Sequence, residues 1–98
     1  MQIRVSEEAM NWFKEEVGVE AGQSIQFYSQ MYGTSPVQEK FSLAFTIDHE
    51  PDDVAVETVK EGITFYIKEK DVWFFDGHDL SIDYNQSNDE IEFNYIKP

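Results

Sequence analysis

Cysteine is absent from this 98-residue chain. Its absence excludes disulfides, thiolate metal sites, iron–sulfur ligation by the chain's own side chains, and cysteine nucleophiles. Cations are scarce as well. Seven Lys and Arg face 20 Asp and Glu, for a formal net charge of −13. Such a surface repels phosphate backbones and anionic headgroups, so nucleic acid and membrane surfaces are not expected partners. Solubility accounts for most of this charge, and the functional reading left beside it is a cationic partner surface. Long apolar runs are missing too, since no stretch approaches the roughly 18 residues of a membrane span. The opening MQIRVSEEAM has no basic region followed by an apolar one, as a secretion leader would. A cytoplasmic protein is expected. There is no repeat, linker or low-complexity tract.

Aromatic residues are plentiful. Eight Phe, five Tyr and two Trp supply core material, each ring covering about 150–250 Å² when buried. At this length the chain is expected to form one domain, residues 1–98.

A short alternating run, QIRV, precedes Ser6, whose hydroxyl suits a helix N-cap, and Glu7 and Glu8, whose charges suit a first turn. No Glu or Gln stands three residues after Ser6, so a plain cap without the reciprocal box is expected. Ala9, Met10, Phe13 and Val17 recur at helical steps, and Gly18 sits where a left-handed C-cap residue belongs. The spacing predicts a helix from about Glu7 to Val17. SIQFYSQM alternates Ile25, Phe27, Ser29 and Met31 against Gln26, Tyr28 and Gln30, and FSLAFTI points Phe41, Leu43, Phe45 and Ile47 inward. Val54 and Val56 alternate. ITFYI then puts Ile63, Phe65 and Ile67 on one face, with Thr64 and Tyr66 on the other. VWFF fits a short helix or a buried strand, and a short helix ending near Asp76-Gly77 is favoured. LSIDY and EIEFNYI flank NQSND as a terminal antiparallel hairpin. The expected fold is mainly β and mainly antiparallel, a sandwich or flattened barrel with an N-terminal helix and a second short helix.

In this order the pieces resemble the HesB-like domain of the A-type iron–sulfur cluster carriers, over essentially the whole chain. IRVSEEAMNWFKEEV is similar to that family's opening strand and capped helix. SIQFYSQMYGTSPVQEKFSLAF is similar to its strand, glycine-containing turn and next strand, and VWFFDGHDLSIDY to its apolar segment, Asp-Gly turn and following strand. The resemblance implies three functional cysteines, one after the glycine of the first turn and two in a Cys-Gly-Cys near the C-terminus. The first falls on or beside Thr34, after Gly33, and the pair would lie beyond EFNYIKP. A thiol with a pKa of about 8.5 yields a soft thiolate, whereas a threonine hydroxyl stays protonated and is a hard, poor ligand. The resemblance therefore implies the fold without the cluster chemistry: a non-enzymatic accessory or binding module with no cofactor. It also implies a homo-oligomer or a protein partner.

Other constellations compete with this reading. His49 in DHEPDD and His78 in DGHD, each beside carboxylates, could compose a divalent-metal site, the alternative function, provided the two turns meet in space. Ser35, His78 and Asp79 supply the residue types of a nucleophilic triad but no fixed local signature. Polar turn residues are the preferred reading of both sets. Trp12, Tyr28 and Tyr66 could form an exposed patch that another chain covers. No residue is assigned as catalytic, cofactor-binding or metal-ligating.

Overall fold

The computed structural model describes residues 1–98 except Thr34, Glu39 and His49. Strand β1 (Ile3–Val5) leads into helix α1 (Glu7–Trp12), and the Ser6 hydroxyl caps it by accepting from the Ala9 N–H at 3.1 Å. The helix continues into a wider π turn, Phe13–Val17. That turn closes when the Gly18 N–H donates to the Phe13 carbonyl at 3.0 Å, an i→i+5 bond. Gly18 has φ of 80°, a conformation in which a side chain would be strained. The expected span from Glu7 to Val17 is thus helical throughout, but over a single turn the apolar spacing does not distinguish α from π winding.

Strands β2 (Ser24–Gln30), β3 (Ser42–Asp48), β4 (Val54–Lys60) and β5 (Ile63–Lys68) follow. A 3₁₀ turn, Glu69–Asp71, then runs into the short helix α2 (Val72–Phe75), and β6 (Asp79–Asn85) and β7 (Glu90–Ile96) complete the chain. One sheet has the order β3-β2-β5-β4 and the other β1-β6-β7. The hairpins β2–β3, β4–β5 and β6–β7 are antiparallel, whereas β1–β6 and β2–β5 are parallel. Local alternation identifies a strand but carries nothing about a neighbour that arrives after a long connection, so the parallel pairs were not legible.

The core lies between the helix and the two sheets. Phe13 of the π turn meets Phe45 and Phe65 with ring centroids 5.3 Å away in each case. Phe27 joins the sheets by an edge contact to Phe93 at 5.9 Å. In α2 the helical period buries Phe74 and Phe75 completely and leaves Val72 and Trp73 outward. Lys60 ties β4 to β1, its ammonium donating to the Val5 carbonyl at 2.8 Å.

Tyr66 departs from the expectation of an outer-face aromatic. It is 0% exposed, and its hydroxyl donates to the Asp48 carboxylate. Because β2 separates β5 from β3, the phenol must lie across β2 to reach Asp48, covering the face where Ser24 and Gln26 are also buried. Burial first, then the hydrogen bond to Asp48 and the charges of Asp48 and Asp52, raise the Tyr66 pKa well above its ordinary value.

Candidate functional site

The segment after β2 carries the turn singled out in the sequence. The Thr34 and His49 assignments lie outside the described residues, whereas the chain up to Gly33 is described. Gly33 has φ of 85°, and a Cβ there would stand 3.2 Å from the Ser42 hydroxyl, so this bend tolerates only glycine without displacement. Ser42 in turn donates to the Tyr32 carbonyl. Met31 extends the row of Ile25, Phe27 and Ser29, yet it lies past the last ladder pair, Gln30 with Ser42. It is 74% exposed as a result, and Tyr32 is 81% exposed. Phe41, just before β3, stacks edge-on against Trp73 at 5.1 Å, and Trp73 is itself 49% exposed. Met31, Tyr32 and Trp73 thus leave large apolar surface open to solvent at this end of the molecule, while Phe41 under Trp73 is half-buried against the core.

Asp71 lies beneath this end. It is 5% exposed, and its Oδ1 accepts from the Ser29 N–H at 3.3 Å and the Ser29 hydroxyl at 2.9 Å. Its Oδ2 is buried without a hydrogen-bond partner. These two bonds hold α2, and with it Trp73, against the end of β2. A carboxylate in an acid-rich turn gave no sequence signal for this role, because its partner stands 42 residues away.

The remaining sequence candidates do not converge. Both carbonyls facing His78 Nδ1, Phe75 at 2.9 Å and Asp76 at 3.1 Å, can only accept, so that nitrogen carries the proton and closes its own turn. The Ser35 hydroxyl exchanges bonds with the Gln38 backbone, and Asp79 accepts from the Gln2 N–H at 2.8 Å. None of Ser35, His78 and Asp79 bonds another. Among the described residues no three His, Asp or Glu side chains come together in an arrangement that could hold a metal ion. The aromatic trio does not form a patch either. Trp12 packs on Phe13 and Phe45, whereas Tyr28 and Tyr66 belong to the opposite face of that sheet.

A second concave feature opens between α1 with its π turn and the β6–β7 turn. This cleft of about 310 Å³ has Trp12 and Tyr84 among its walls, with Glu8, Glu15, Glu16 and Asp89 around them. The Tyr84 hydroxyl donates to Asp89. That bond first, then desolvation and the charges of Asp89, Glu16 and Glu8, push the Tyr84 pKa up to about 12.

A helix-flanked pair of β-sheets in this order defines the class of fold. The structure superimposes on Escherichia coli SufA, a protein involved in biosynthesis of iron–sulfur clusters, with a TM-score of 0.63 and 16% identity, covering 95% of this chain and 79% of that one. The sequence matches the family described as iron-sulphur cluster biosynthesis over residues 1–98. The chain belongs to that family, as a member without cysteine. Among its relatives is the pyruvate dehydrogenase inhibitor of Bacillus subtilis, 41% identical over 95 residues and covering 97% of this chain and 99% of that protein. An uncharacterized protein of Staphylococcus saprophyticus is 37% identical over 95 residues, covering 95% and 97%. Among the described residues no helix is long and apolar enough to cross a membrane.

Proposed function

We propose that this chain, as a single domain of residues 1–98, is a non-enzymatic accessory protein of the cytoplasm that acts by docking onto a protein partner. The partner we propose is an enzyme of the pyruvate dehydrogenase type. The observation that carries the docking reading is the exposed apolar surface of Met31, Tyr32 and Trp73, the last seated on half-buried Phe41, beside the bend where the family's first thiol would stand. Aromatic and Met side chains with buried edges and open faces are the residue types that anchor protein interfaces. Thiolate chemistry at the bend is ruled out by composition, which leaves surface recognition as what this end can do. The choice of enzyme rests on the full-length relationship to the pyruvate dehydrogenase inhibitor. No catalytic, cofactor-binding or metal-ligating residue is assigned in this reading.

The test is an activity assay. Purified chain is titrated into a bacterial pyruvate dehydrogenase complex while NADH formation is followed, and a saturable loss of activity is expected. Replacing Met31 and Tyr32 together by serine, both mostly exposed, is expected to weaken inhibition at least tenfold without lowering the melting temperature. Full enzyme activity at excess chain, together with no co-migration in gel filtration, would refute the choice of partner. Migration of the isolated chain as a dimer that the double variant abolishes would instead assign the apolar end to self-association.

A further inference from the structure

We propose that Met31 is a peroxide-sensitive switch on the docking surface, whose oxidation to the sulfoxide releases the partner. This switch rests on the docking reading above and supplies the regulation of that same surface.

With no thiol in the chain, the side chains that a mild two-electron oxidant attacks first are the thioethers. Three methionines are present, and the fold treats them unequally. Met10 is completely buried in α1, where an oxidant has no access. Met1 stands at the head of the chain, before β1, and is 41% exposed. Met31 is 74% exposed and lies beside the equally open Tyr32.

The bend holds this thioether in place. The Gln30 amide donates to Ser42 Oγ at 3.1 Å, and the Ser42 hydroxyl donates to the Tyr32 carbonyl. Both neighbours of Met31 are thus tied to one serine of β3, while its own side chain, past the last ladder pair, meets solvent. Access to the sulfur therefore follows from the fold.

The oxidation is balanced by the peroxide itself. The Met31 sulfur attacks one oxygen of hydrogen peroxide, the S–O bond forms as the O–O bond breaks, and the departing oxygen takes up the proton and leaves as water. Sulfur loses two electrons and the peroxide gains them. A flexible apolar side chain, of the kind that adapts to a partner surface, becomes a polar one. Its new oxygen is an acceptor, and covering an acceptor without a donor opposes burial, so the docked state is weakened. A thiol-dependent methionine sulfoxide reductase reverses the change, the oxygen leaving as water while two thiols become a disulfide.

The purified chain is treated with millimolar hydrogen peroxide, and catalase removes the excess. Peptide mapping by mass spectrometry is expected to find one added oxygen at Met31, gained at least tenfold faster than at Met10. Titrated into the pyruvate dehydrogenase complex, the oxidised chain is expected to inhibit at least tenfold more weakly, with inhibition restored by the reductase. The Met31→Leu variant keeps an apolar side chain without sulfur, and is expected to inhibit like the native chain before and after peroxide. Oxidation at Met31 no faster than at Met10, inhibition that persists once Met31 is fully sulfoxide, or an equal loss in the Met31→Leu variant would overturn the switch and leave the docking reading standing. No inhibition by the untreated chain would overturn the docking reading, and the switch with it.

Discussion

Tyr66→Phe isolates one buried polar contact without changing packing. The ring stays, so the hydrophobic and dispersion contributions of a fully covered side chain are retained. Only the hydroxyl that donates to Asp48 is lost. A hydrogen bond to a charged group is worth about 1.5–3 kcal/mol. Asp48 keeps other partners, among them the Glu50 N–H at 3.2 Å, so the low end applies, about 2 kcal/mol. In a domain of this size each kcal/mol moves the melting temperature by about 4–8 °C, and a drop of roughly 8–16 °C at pH 7 is expected by near-ultraviolet circular dichroism. The pH dependence adds a second reading. A tyrosine whose folded pKa lies above its unfolded value of about 10 contributes stability that is complete below pH 10. That stability is lost as the pH rises through the folded value, because the unfolded chain releases the proton first. The native protein should therefore lose stability above pH 10 faster than the variant, and the gap between them should narrow from pH 7 to 11. Tyr95, pushed up to about 12 by burial, and Tyr84 act with the same sign but are present in both proteins. A melting difference below 2 °C, or a gap unchanged between pH 7 and 11, would refute the assignment of a buried, neutral phenol bonded to Asp48.

Two further predictions address the end of the molecule near the Gly33 bend. Ser29→Ala removes the 2.9 Å hydroxyl bond to Asp71 and leaves that buried carboxylate with the Ser29 N–H alone. A loss of about 1–3 kcal/mol is expected from urea unfolding, and an unchanged midpoint would show that Asp71 does not hold α2 in place. Anaerobic reconstitution with iron and sulfide is expected to leave the protein without a visible charge-transfer spectrum, since no thiolate is available. A stable stoichiometric cluster on the isolated chain would refute the reading of a member without cluster chemistry of its own.

Much of the fold was legible because its signals are local. Ser6 before an apolar 3–4 spacing and Gly18 after it marked the two ends of a helix, and alternation marked β2, β3, β5, β6 and β7. The Asp-Gly pair after VWFF marked the end of α2, where Asp76 has φ of 48° and Gly77 φ of 79°. Tyr66 was misplaced for a physical reason. Alternation says which face a residue points to, and says nothing of what crosses that face, and a phenol laid over β2 buries itself. Met31 was misplaced because the pattern continued one residue past the ladder that gives it meaning.

By itself the sequence determined what this protein cannot do. A chain without cysteine has no thiol nucleophile and no thiolate donor whatever shape it adopts, and composition is independent of conformation. It also determined the family, since the order of capped helix, glycine bend and Asp-Gly turn survives as a linear pattern. The tertiary structure alone decided which side chains meet: Ser29 with Asp71, Phe41 with Trp73, and Tyr84 with Trp12 and the carboxylates of α1 and its π turn around one cleft. Those encounters join residues tens of positions apart. They depend on the parallel pairing of β2 with β5 and β1 with β6, which is settled by the packing of the whole core and written in no single segment.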